Sequence, residues 1–112
     1  MKAAASLIVF VLLCGSANAQ PTFAFANGDL LYKACTDANL GLADTCNFYI
    51  EGVTDLMRAF ASGKNKLCIP DRETGRDIVA LVQNDLKSSP HHAGNAAVIV
   101  AASLLKSFPC TT

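Results

Sequence analysis

The sequence predicts an all-α fold, a small four-helix bundle stapled by two disulfides and built around a central apolar C-terminal helix. Three observations lead there. Cys46, Tyr49/Ile50, Val53, Leu56/Met57 and Phe60 recur at three- and four-residue steps, the spacing of one helix face. The last long segment, 93–108, contains Ala96-Ala97-Val98-Ile99-Val100-Ala101-Ala102 with no polar face. A helix apolar all round belongs in a core or a membrane, and this run falls short of the roughly twenty apolar residues needed to span hydrocarbon. Finally, Cys35, Cys46, Cys68 and Cys110 remain once an N-terminal leader is set aside. An even cysteine count in a short exported chain reads as a disulfide framework.

The leader is read from its composition. Lys2 gives a positive start, Ala3 to Leu13 is apolar apart from Ser6, and Ala17-Asn18-Ala19 supplies the small-x-small pattern of a cleavage site. Residues 1–19 are therefore expected to be a signal peptide cut after Ala19, and 20–112 a single exported domain. Lipidation at Cys14 is the rival reading, but Leu13 stands where a small residue is wanted. A retained anchor is disfavoured because the apolar run is short.

Removing Lys2 from nine basic residues leaves eight against nine acidic ones, so the exported chain is nearly neutral. That argues against a nucleic-acid partner, which needs a basic stripe, and against attraction to acidic membranes. A domain of this size buries only about 60–65% of its unfolded surface, so covalent staples are useful.

The elements follow in order. Gln20 to Ala26 is expected as an extended lead-in whose Phe23 and Phe25 can pack on the helices. Asn27 is an N-cap and Asp29 a favourable first-turn charge for a helix over about 28–36, with Leu31, Ala34 and Cys35 inward. Asn39 and Gly41 mark a turn. The second helix is capped by Asp44 or Thr45 and stops at Gly63, with Asn47, Glu51, Asp55 and Arg58 on its wet face. Gly52 inside it costs about 1 kcal/mol relative to alanine, so another backbone, that of the last helix, is expected to cross there. The third helix is expected to begin at Pro70 or Asp71 and to bury Ile78/Val79, Val82 and Leu86. Ser88 to His92 is the final connection.

Cys35 ends the first helix and Cys46 begins the second, so an αα-hairpin favours the pair Cys35–Cys46. Cys68–Cys110 then joins the ends of antiparallel third and fourth helices. The other two connectivities stay open.

Residues arranged for chemistry are scarce. No CxxC pair supports metal or thioredoxin-type redox chemistry, and no cofactor is expected. Glu51 and Asp55 share a face, but paired carboxylates need a cleft and divided environments to do acid–base work; a solvated face with Arg58 as counter-ion is the plainer reading. Ser62-Gly63-Lys64 lacks the rest of a phosphate loop, there is no GxSxG elbow, and oxidised cysteines supply no nucleophile. A binding protein without catalytic residues is the expectation.

The runs Phe25-Ala26-Asn27-Gly28-Asp29-Leu30, Cys46-Asn47-Phe48-Tyr49-Ile50-Glu51-Gly52, Cys68-Ile69-Pro70 and Phe108-Pro109-Cys110 occur in order across the domain. In this the chain resembles the Rap/Tai family of type VI secretion immunity proteins. The resemblance implies a periplasmic, disulfide-bonded helical homodimer that blocks the cleft of a peptidoglycan-cleaving effector, in one branch a papain-like amidase. Ser89-Pro90-His91 departs from the family's histidine-before-proline at the end of the third helix. The expected effector contacts are Asp85, Lys87, Ser88, His91 and His92, polar residues on a loop framed by helices. The 62–67 loop, with Lys64 and Lys66, is second. The competing class is a periplasmic stress chaperone or small helical binding protein, which fits size and disulfides but offers few carboxylates for an acid switch.

Overall fold

A computed structural model describes residues 27–89 and 92–111. The leader, Phe23, Phe25 and His91 lie outside the described residues. Within them the chain forms α1 (Gly28–Thr36), α2 (Ala43–Phe60), α3 (Gly75–Ser88) and α4 (Ala96–Ser107), with 3-10 turns at Ala38–Leu40 and Gly63–Asn65.

Local chemistry explains most boundaries. Asn27 Oδ1 accepts the Leu30 N–H at 2.9 Å, capping α1 over the expected residues. Asp37 then caps the following 3-10 turn, which closes on Gly41 at φ 63°, a left-handed conformation glycine adopts without strain. The cap of α2 expected at Asp44 or Thr45 does not form: both lie inside the helix, and the cap position is Leu42, without a side-chain bond. The helix ends at Phe60 and Gly63 lies three residues beyond it, in the next turn.

The third helix begins later than Pro70 or Asp71 would suggest. A reciprocal capping box fixes its start: the Asp77 N–H donates to Thr74 Oγ1, and the Thr74 N–H donates to Asp77 Oδ2 at 2.9 Å. Two orphan donors are thereby satisfied at once. The Thr74 hydroxyl also donates to that carboxylate, and these hydrogen bonds hold the Asp77 carboxyl below its ordinary range. The last helix is likewise shorter than 93–108. Gly94 has φ 111°, outside the helical region, and Asn95 Oδ1 accepts from Ala97 and Val98 N–H.

All four helices feed one core. Leu31, Ile50, Val82, Val100 and Leu104 are its fully buried large side chains, and α4 touches each of the other three helices. It is packed on several sides but not enclosed: Val98 is 66% exposed and Ala102 is exposed, so the apolar run is open along one edge. The reason lies in a narrow buried stripe, Ala96, Val100, Ser103 and Leu104, at helical spacing. The apolar residues outside it exceed what three neighbours can cover.

Both favoured disulfides form, Cys35–Cys46 and Cys68–Cys110, across sequence separations of 11 and 42. On the loop-entropy model they contribute about 3 and about 4 kcal/mol respectively. The longer loop is also tied by backbone: the Cys68 N–H donates to Phe108 O at 3.0 Å beside a bridge between Leu67 and Pro109. At the other pole Gly28 N–H donates to Gly94 O at 2.9 Å, beside a bridge between Asn27 and Asn95.

Candidate binding surfaces

Three regions have the side chains to meet a partner: the outer face of α2, a charged cleft beside the start of α3, and the pole where α3 ends against α4.

The outer face of α2 is apolar and open. Phe48, Leu56 and Phe60 are 72%, 59% and 79% exposed. With Gly52, they stand at four-residue intervals, a stripe about 18 Å long at 1.5 Å per residue. Leu56 and Phe60 were expected in the core; Thr54 takes that place instead, its hydroxyl donating to Ile50 O at 2.8 Å. Nothing approaches within 4 Å of where a Gly52 Cβ would stand, so the expected crossing by α4 does not occur. Beside Phe60 the stripe continues into a groove of about 580 Å³ lined by Met57, Val98, Ala102 and Leu105. Contiguous apolar surface of this kind marks an interaction site.

The charged cleft, about 340 Å³, lies between α2 and the start of α3 and is lined by Glu51, Asp55, Arg58 and Glu73. Glu73 pairs with Arg72 at 3.6 Å, and among the described residues neither Glu51 nor Asp55 forms an ion pair with Arg58. Tyr49, on the other flank of α2, is half-buried, and burial pushes its hydroxyl pKa up.

At the third region Lys87 and Ser88 are exposed. The Lys106 ammonium donates to Asp85 Oδ1 at 2.9 Å and holds that carboxyl below its ordinary value, against partial burial. His92 overturns the expectation of an exposed contact residue. It is 7% exposed, its ring stacks on Tyr32 with centroids 4.2 Å apart, and its Nε2 lies 2.5 Å from Leu86 O. A carbonyl can only accept, so Nε2 carries the proton. The ring thus satisfies one of the carbonyls that every helix end leaves unpaired. His92 is a cap for α3, inserted beneath the surface that sequence had it join.

The expected contacts Asp85, Lys87 and Ser88 do share one pole. Two neighbours there are not evident from the sequence: Lys106, in the last turn of α4, and Ser103, within an otherwise apolar run. The period of Ala96, Val100 and Ser103 carried that signal.

Among the described residues every cysteine is in a disulfide, no three His, Cys, Asp or Glu residues are grouped to hold a metal ion, and no helix is long and apolar enough to cross a membrane. A stapled helical scaffold with an open apolar face and a polar pole defines a protein-binding module. Residues 27–110 match the family model described as Rap1a immunity proteins, and the chain belongs to that family. Comparison with curated proteins and with solved structures returns no match. Membership in an immunity family implies a cognate effector protein as partner.

Proposed function

We propose that this protein is a periplasmic immunity factor that binds an amidase-type, peptidoglycan-degrading type VI secretion effector and sterically blocks its cleft. The observation that carries this reading is the match to the immunity family across 27–110. The geometry supports occlusion over chemistry, since polar groups at the end of α3 stand on a scaffold held by two disulfides. Asp85, Lys87 and Ser88, with His91, form the contact surface; His92 supports it from below. Rigid presentation of this kind limits the ordering cost of binding.

The α2 stripe takes a second copy of the chain. A two-fold axis at Gly52 sets Phe48 of one protomer against Leu56 of its partner, as an isologous interface requires. The missing Cβ at Gly52 permits close backbone approach. The antiparallel arrangement also brings Asp44, at the start of one α2, toward Lys64 just beyond the end of the other.

The test is affinity capture from the periplasm of the source organism with the oxidised protein, followed by assay of the captured protein on peptidoglycan. One stoichiometric cell-wall amidase, inhibited on binding, is the expected result. Lys87→Glu combined with Ser88→Trp should weaken that complex at least tenfold without changing Tm. Capture of many unfolded clients, only in acid, would replace this reading with the chaperone.

A further inference from the structure

A pocket of about 270 Å³ opens between the end of α3 and α4. Its apolar lining comes from Leu86, Ile99 and Ala102, and its polar lining from Asp85, Ser89, His92, Ser103 and Lys106, with His92 Nε2 already bonded to Leu86 O. Ser103 is 4% exposed. Its hydroxyl lies near enough to Asp85 to favour the charged carboxylate, yet has no partner at hydrogen-bond distance. A buried hydroxyl left unpaired is costly and rare in native folds, so an unpaired one lining a pocket points to a group that arrives from outside.

We infer that this pocket receives one neutral carboxamide group, the end of an Asn or Gln side chain of the bound effector, with Ser103 and Asp85 as its hydrogen-bond partners. This rests on the immunity reading and names the chemistry of its contact surface.

Charge, polarity and size each narrow the ligand. Asp85 and Lys106 already neutralise one another at 2.9 Å, so an entering ion would bring charge with no free counter-ion and lose its hydration. A purely apolar group would seal Ser103 off and leave its hydroxyl unpaired. A carboxamide carries both halves of the required set: its NH2 donates to the Asp85 carboxylate or Ser103 Oγ, and its oxygen accepts from the Ser103 hydroxyl. The volume is well above the roughly 30 Å³ share of one water and falls just below the sites of whole small-molecule ligands, which run from about 300 Å³. It suits one side-chain end.

The experiment has two arms, both on the disulfide-bonded protein. In the first, backbone amide NMR signals are followed during titration with propionamide, and with propionate and guanidinium as comparators. Saturable shifts at Asp85, His92, Ser103 and Lys106 are expected with propionamide alone, and Ser103→Ala should abolish them. Absence of saturable shifts, equal shifts with all three probes, or shifts that survive Ser103→Ala would overturn the inference, the pocket then holding water only.

In the second arm Ser103→Ala is measured against the captured effector. Affinity should fall about tenfold while Tm of the free protein rises, because the substitution removes an unpaired hydroxyl. A merely structural serine would lower both or neither, and that outcome also overturns the inference. If propionamide binds but no effector is captured, the immunity reading fails while the pocket stands as a site for a free amide. If the effector binds and Ser103→Ala changes nothing, the pocket fails and the immunity reading survives.

Discussion

Gly28 and Gly52 occupy the bundle under opposite conditions. Gly28 opens α1 at a buried position where an added Cβ would overlap the His92 carbonyl and the Ile99 side chain. Gly52 sits in the middle of α2, exposed, with nothing near it. One glycine exists because two segments touch; the other leaves an open place in a helix that would fold better without it. The contact at Gly28 is made within the monomer, whereas the middle of α2 has apolar surface and a backbone gap with no occupant of its own.

The largest expected effect is at the closed pole. Gly28→Ala forces apart α1 and the segment before α4, because one of the atoms it meets is backbone and cannot swing aside. It should cost about 3 kcal/mol, at the upper end for overpacking, and lower Tm by roughly 12 °C or more for a domain this size. Thermal unfolding under oxidising conditions reads it directly. A loss below about 1 kcal/mol would mean that α1 does not seat on the 92–95 segment as described.

His92→Ala should follow, at about 2 kcal/mol, for the lost ring volume against Tyr32 and an orphaned Leu86 carbonyl. His92→Gln offers a replacement donor and should recover part of that loss. If both variants are as stable as the parent, the imidazole is not the cap of α3 and the exposed-loop reading of His92 returns. Together with Gly28→Ala this separates two contributions at one pole, close backbone contact and the buried ring.

Much of the architecture was legible because its causes are local. Asn27 marks the start of α1, Ile78, Val79, Val82 and Leu86 mark the buried side of α3, and the hairpin logic of cysteine positions gives both disulfides. What was not legible depends on competition or on tertiary contact. Pro70 is a good helix opener, but Thr74 and Asp77 cap each other and win. The alanine at 93 favours helix, but Gly94 and Asn95 set the boundary. Two histidines in a polar loop read as surface, and only the fold reveals that Leu86 O and Tyr32 await one of them. Gly52 was legible as an exception but not in its reason, and Gly28 was not legible at all, since a sequence does not say whether a missing Cβ faces a neighbour or nothing. Of the site, Asp85, Lys87 and Ser88 were found by polarity. Ser103 was lost because a single serine in an apolar run carries little weight until its neighbours are in place.

The smallest effect on stability is expected on the open face of α2, and there the sign reverses. Gly52→Ala introduces a methyl that meets nothing and removes the entropy cost of glycine in a helix interior. The dilute monomer should gain about 0.5–1 kcal/mol. Self-association should move the other way, because the same methyl stands where the partner's α2 approaches; the dissociation constant from analytical ultracentrifugation should rise about tenfold. Leu56→Asp supplies the control: with Leu56 59% exposed, the monomer should change by less than about 0.5 kcal/mol while the dimer is lost. Concentration must be held fixed between the two measurements, since a dimer's apparent stability depends on it. If neither variant alters association, the stripe is not where a second copy binds. If Gly52→Ala destabilises even the dilute protein, the space around Gly52 is not open in solution, and the contrast with Gly28 disappears.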